Sequence, residues 1–183
     1  MSTTFSKCGP DEWPVAVLED ALKWHKPLDD VDTTFCVLLA ANENDAPLKV
    51  NGHAVLGRVK IVPLLERVAG LPDVLILIDS REWENLSEPS QLALMDHLLC
   101  RLELVTHEVA DGSLLIERDD AGRPKLRKRP ADWHGSDGFR DVVERHGRDA
   151  VEFIAVKRAN LLAVEAVENH EAAEEKARME DAA

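Results

Sequence analysis

The chain has 183 residues, 45% of them apolar and 31% charged, and its 35 acids against 22 lysines and arginines give a formal net charge of −13. That length suits one ordinary domain with a helical extension, and the composition suits a soluble globular protein with a sizeable core. The charge argues against direct nucleic-acid binding and against an anionic membrane surface, since both need a basic face, and it permits a protein partner whose surface is basic.

Residues 1–11 read as a loose start. Asp11-Glu12-Trp13-Pro14 opens a helix, with acids near its positive end and proline in the first turn. Val15, Leu18, Leu22 and then Trp24 or His25 keep helical spacing until Pro27 stops it. Thr33 to Ala41 is a short apolar run suited to a buried strand. Asn42 to Gly52 reads as a loop, and Val55 to Val62 as a half-buried strand ended by Pro63. Leu64 to Ala69 forms a short helical turn. Asp73 to Asp79 is the clearest strand, and its unbroken apolar stretch predicts a central position covered on both faces.

Ser87-Glu88-Pro89 starts a helix that runs to about Glu103, with Ser87 as N-cap. Leu92, Met95, Leu99 and Leu102 mark one apolar stripe, and Leu94 and Leu98 widen it, so this helix is predicted to be deeply buried. Leu104 to Val109 and Ser113 to Arg118 flank Asp111-Gly112, a hairpin signal. Asp119 to Pro124 is turn-rich. Lys125 to Arg129 is the only basic cluster and reads as an exposed strand edge. Ser136-Asp137-Gly138 precedes a helix from Phe139 to His146 that Gly147 caps. A last helix begins near Asp149, and from Glu165 onward it becomes an acidic, alanine-rich tail.

The chemistry that matters lies in Met95-Asp96-His97-Leu98-Leu99-Cys100-Arg101. Two histidines four apart on a helix can hold one zinc ion side by side, and a glutamate after the first can deprotonate the metal-bound water. A third ligand from elsewhere leaves one coordination position open. This chain has His97, but Leu98 stands at the base position and Arg101 at the second-ligand position. Leucine cannot take a proton, and arginine stays charged and cannot coordinate a cation. A lone histidine on an apolar helix is by itself ordinarily a core residue.

The wider setting changes that weighting. Val74 to Asp79, Trp83, Leu86-Ser87, Gln91, Ala93-Leu94 and the Asp96 to Arg101 segment resemble the putative phage metallopeptidase family, a group of small zincin-like domains with the motif Asp-His-Glu-Leu-Cys-His. Val55-Leu56-Gly57-Arg58-Val59 resembles that family's glycine-containing strand. Downstream, Asp119 to Pro124, Lys125-Leu126-Arg127, His134 to Phe139 and Val142 to Gly147 resemble its later segments. Carried over residue by residue, the resemblance makes His97 the first metal ligand and His134 the third. It makes Leu98 the replaced base and Arg101 the replaced second ligand, with 102–113 an insertion.

The resemblance implies an α+β, zincin-like fold in which a small mixed sheet packs against a buried helix of active-site type, followed by a long C-terminal helix. The domain is expected over residues 12–147 and the helix with its acidic tail over 148–183. The expected function is that of an inactive peptidase-like phage or prophage protein that binds another protein, as an inhibitor or adaptor of a host protein. The alternative is a zinc-dependent peptidase with a rearranged site, built from His97, His134 and either His107 or Cys100. No cofactor is required by the first reading, and zinc by the second. Asp96 is expected to orient or cap and Cys100 to pack.

Glu103, six residues after His97, falls on another side of the helix. His25, His53, His146 and His170 read as surface or capping residues. Trp13, Trp24, Trp83 and Trp133 read as core anchors, with Trp133 beside the cleft.

The three cysteines, Cys8, Cys36 and Cys100, lack paired spacing, which argues against a disulfide framework. Met1 to Pro10 carries no apolar run, and no segment has the length of a membrane span. A cytoplasmic location is therefore expected, with oligomerisation through the last helix as a further possibility.

Overall fold

The computed structural model describes residues 3–110, 112–132 and 138–154. In chain order the elements are β1 (Thr3–Lys7), α1 (Trp13–Leu22), α2 (Lys26–Asp29), β2 (Phe35–Asn42), β3 (Lys49–Val50), β4 (His53–Ala54), β5 (Gly57–Ile61), α3 (Leu64–Val68), β6 (Val74–Asp79), α4 (Ser80–Asn85), α5 (Glu88–Cys100), β7 (Leu102–Leu104), β8 (Thr106–Glu108), β9 (Leu114–Ile116), β10 (Leu126–Lys128) and α6 (Arg140–His146).

The unbroken apolar run of β6 requires cover on both faces, and the fold supplies it. The main sheet has the order β1-β2-β6-β5, so β6 is internal. It lies parallel to β2 and antiparallel to β5, while β1 runs antiparallel to β2 at the opposite edge. Val74, Ile76 and Ile78 are fully buried, with Val37 of β2 and Val59 of β5 in the same core.

Helix α5 packs against this core beside α1 and β5. It is buried nearly all round from Ala93 to Cys100, as a helix without a polar face must be. This is the mixed α+β, zincin-like arrangement expected from the sequence: a small mixed sheet on a buried helix. Among the described residues no helix is long and apolar enough to cross a membrane.

Gly57 sets how closely α5 approaches the edge strand. A Cβ there would stand 2.9 Å from the Leu77 carbonyl oxygen and 3.1 Å from Leu98 Cδ1. The missing side chain therefore makes room for both the sheet ladder and the helix.

Several local expectations need correction. The start of the chain is not loose: Thr3–Lys7 pairs with β2 from Thr3 opposite Asn42 to Lys7 opposite Leu38. All five of its residues are exposed, so it leaves no apolar signature. Pro27 does not only end a helix but sits in the first turn of α2. Helix α5 stops at Cys100 and not near Glu103, because Leu102–Leu104 is drawn into pairing with Leu126–Lys128.

Helix α4 was not anticipated. The Asp79 carboxylate caps it by accepting from the Glu82 backbone N–H at 3.1 Å. At the end of the stretch expected as a loop, β3 pairs with β4 just beyond it as a small hairpin. The hairpin expected around Asp111-Gly112 is present as β8 and β9, and the basic cluster contributes the exposed strand β10. The last helix is helical over 151–154, and the remainder of the expected C-terminal extension lies outside the described residues.

Candidate functional site

Successive residues on a helix point about 100° apart, so Asp96, His97 and Leu98 face three different neighbours. Leu98 faces the sheet edge, 1% exposed and against Gly57. A carboxylate in that place would be buried among the apolar side chains of the core.

His97 faces the C-terminal part of the fold. Its Nδ1 lies 2.9 Å from Glu152 Oε1, which also accepts from the Phe139 backbone N–H at 3.0 Å. On the other side of the ring, Arg101 Nε and Nη2 stand 3.3 and 3.2 Å from Nε2. Arginine only donates, so Nε2 is the acceptor and the proton resides on Nδ1, donated to Glu152. Phe139 lies edge-on to the imidazole at 5.3 Å between centroids, and the Arg101 guanidinium carbon stands 5.8 Å from the centre of the Phe139 ring. The carboxylate of Glu152 is pulled in two directions. Burial opposes its charge, but donation from His97 and from the Phe139 and Glu152 backbone N–H groups outweighs this and holds its pKa below the usual range.

Asp96 faces the opposite flank, where the corner between α1 and α2 meets the end of α6. Its side chain is wholly buried. His25 Nε2 donates to Oδ1 at 2.7 Å and His146 Nε2 donates to Oδ2 at 2.8 Å. Arg145 donates to both oxygens, Nε to Oδ2 and Nη2 to Oδ1, each at 2.8 Å. Burial alone would raise this carboxyl, yet the donors from His146, His25 and Arg145 hold it far below the ordinary range. Trp24 meets His146 edge-on at 5.2 Å and closes the cluster from outside.

Cys100, one turn after Asp96, belongs to this flank. Its Sγ is 3.7 Å from Asp96 Oδ1, 4.0 Å from His25 Nε2 and 3.4 Å from Arg145 Nη2. Burial and the Asp96 charge push its thiol up to about 12, so it is a protonated thiol and not a ready nucleophile. Asp96 and Cys100 also meet the same nitrogen of His25, whereas a catalytic triad needs the acid and the nucleophile on different ring nitrogens.

A family model described as putative phage metallopeptidase matches residues 16–160. The chain belongs to that family. Comparisons with curated proteins and with solved structures return no match. The match takes in α5 and continues through Glu152.

Membership of a metallopeptidase family implies a catalytic metal, and the residues around His97 do not fit one. A metal ion would need the Nε2 lone pair that accepts from Arg101, and among the described residues no group of three donors surrounds His97. Leu98 offers no base. His134, the third ligand implied by the resemblance, lies outside the described residues. Its described neighbours Asp132 and Gly138 are bonded to each other, N–H to carbonyl, at 3.1 Å. The two alternative ligands lie elsewhere: His107 is exposed on β8, and Cys100 makes its contacts on the Asp96 flank. Among the described residues, the group placed to share a metal ion is His25, Asp96 and Cys100.

Sequence reasoning missed the roles of His25, His146, Arg145 and Glu152. His25 and His146 do stand at cap positions, of α2 and of the 3-10 turn Gly147–Asp149, but neither side chain caps: Asp96 draws both rings inward. The available signal was Asp96 itself: a carboxylate amid an apolar helix must find cations when buried. Trp83 is the core anchor expected, while Trp13 and Trp24 are 47% and 44% exposed and act at the rim. Trp13 donates from its indole to Gln91 Oε1 at 2.6 Å. Trp133 and His170 fall outside the described residues.

Proposed function

We infer that this phage metallopeptidase-like protein acts by binding another protein and does not hydrolyse peptides. The observation that carries the reading is the state of His97, whose two ring nitrogens are engaged by Glu152 and Arg101 while Leu98 fills the base position. The family's reaction needs a metal-bound water and an adjacent carboxylate to deprotonate it. Here the helix supplies a guanidinium and an aliphatic side chain in those places.

Two surface features support protein binding. The chain carries a net charge of −13, which favours encounter with a basic partner. On and after α3, Leu65 and Val68 are 82% and 66% exposed, with Leu64 and Leu71 beside them in sequence. Exposed apolar side chains clustered on one short helix are a feature of contact surfaces. An inhibitor or adaptor of a host protein with a basic face fits this combination.

The test has two arms. Purified full-length protein, incubated with and without added zinc, is assayed on casein and on a fluorogenic peptide library, and no turnover above a boiled control is expected. Immobilised protein is then used to capture a host-lysate partner across a salt titration, with release at high salt expected from an acidic docking surface. Zinc-dependent turnover abolished by His97→Ala would establish the rearranged peptidase instead. Capture indifferent to salt would remove the basic partner from the reading.

A further inference from the structure

We propose that His25, Asp96 and Cys100 form a zinc site, separate from the His97 position and independent of the reading above, with the fourth coordination position left to solvent. The cluster contains more ligand chemistry than charge pairing requires. Arg145 alone meets both oxygens of Asp96, so its positive charge already balances the buried carboxylate. Two imidazoles and a thiol are nevertheless gathered on the same group. Nitrogen, sulfur and carboxylate oxygen together are a donor set suited to zinc.

The distances fit the ion. Nε2 of His25, Oδ1 of Asp96 and Sγ of Cys100 are separated by 2.7, 3.7 and 4.0 Å. Three atoms so spaced share a point about 2.1 Å from each, which is a zinc–nitrogen or zinc–oxygen bond and slightly less than a zinc–sulfur bond. Opening the His25–Asp96 pair by roughly 0.7 Å would bring that edge to tetrahedral spacing. His146 Nε2 reaches the other oxygen of the same carboxylate at 2.8 Å.

Arg145 Nη2 lies over Oδ1 and Sγ, at 2.8 and 3.4 Å, so a cation already stands over this donor pair. Its side chain keeps 27% of its surface in solvent, which gives it a way out and the ion a way in. On binding, Cys100 releases its thiol proton, and the His25 ring moves its proton from Nε2 to Nδ1 so that its lone pair faces the metal, while His146 keeps its bond to the other carboxylate oxygen. The guanidinium leaves the carboxylate as the divalent ion replaces it. The ion would join two separate pieces: the α1–α2 corner through His25, and α5 through Asp96 and Cys100.

Cobalt is the probe, because thiolate ligation gives a near-ultraviolet charge-transfer band that nitrogen and oxygen ligands do not. The full chain, stripped with chelator, is titrated with Co²⁺ alone. The expected result is one equivalent bound with that band, retained in His97→Ala and lost in Cys100→Ser and His25→Ala. In parallel, zinc should slow alkylation of Cys100 about tenfold or more, read peptide by peptide in mass spectrometry so that Cys8 and Cys36 are scored apart.

A wild-type chain that shows no charge-transfer band, or no protection of Cys100 by zinc, overturns the proposal whatever the variants do. A band that survives Cys100→Ser in a variant with wild-type circular dichroism overturns it as well. So does a band lost in His97→Ala.

Discussion

Replacing Asp96 with asparagine tests the most heavily engaged polar group on α5. The carboxylate is fully buried and accepts from four nitrogen donors, two on each oxygen. Asparagine keeps the shape but turns one oxygen into an amide nitrogen, which then faces donors with a donor. It also removes the negative charge that faces Arg145. Breaking a buried charge pair by removing one member costs about 3–5 kcal/mol. Arg145 can partly rehydrate through its exposed edge, so the expected loss lies near the lower end, about 3 kcal/mol. Against a total stability on the order of 5–15 kcal/mol, that loss is large. The assay is urea unfolding followed by far-ultraviolet circular dichroism, with chelator present so that metal plays no part. Arg145→Met and the double variant complete the cycle, and a coupling of about 2 kcal/mol or more is expected. A loss below about 1 kcal/mol for Asp96→Asn, or additive single effects, would refute the view that this cluster is an energetic centre of the fold.

The acid limb of stability should report the same groups. Asp96, Glu152 and Asp73 all have pKa values held below their ordinary range by the folded state. Their stabilisation is therefore complete above the unfolded values of about 4 and is lost as pH falls through the lower folded values. Unfolding midpoints measured from pH 7 to pH 2 should fall in that window, and less steeply in Asp96→Asn. Gly57→Ala places a methyl group against the Leu77 carbonyl and Leu98, and should cost about 1–3 kcal/mol in the same urea assay. Arg101→His frees Nε2 of His97 and adds an imidazole four residues on. It should raise bound zinc by one equivalent over wild type in elemental analysis, without peptide hydrolysis, because Leu98 still supplies no base.

The amino-acid sequence by itself determined the central elements and the chemistry open to each side chain on α5. The apolar run of β6 and the stripe of α5 are periodic, and periodicity survives in one dimension. That Leu98 cannot take a proton and Arg101 cannot coordinate a cation was legible, because a side chain's ability to do either belongs to the residue and not to its surroundings. Strand β1 was not legible, since its five exposed residues owe their conformation to backbone pairing with β2 and carry no pattern of their own. Glu152 stands 55 residues from His97 and His25 stands 71 from Asp96. Nothing local marks those pairs. Only the tertiary structure decided that His97 is held between Glu152 and Arg101, and that Asp96 turns the other way and gathers two histidines, an arginine and a cysteine. The physical reason is that a buried charge takes its partners from whatever elements the fold packs against it, and sequence order does not record that choice.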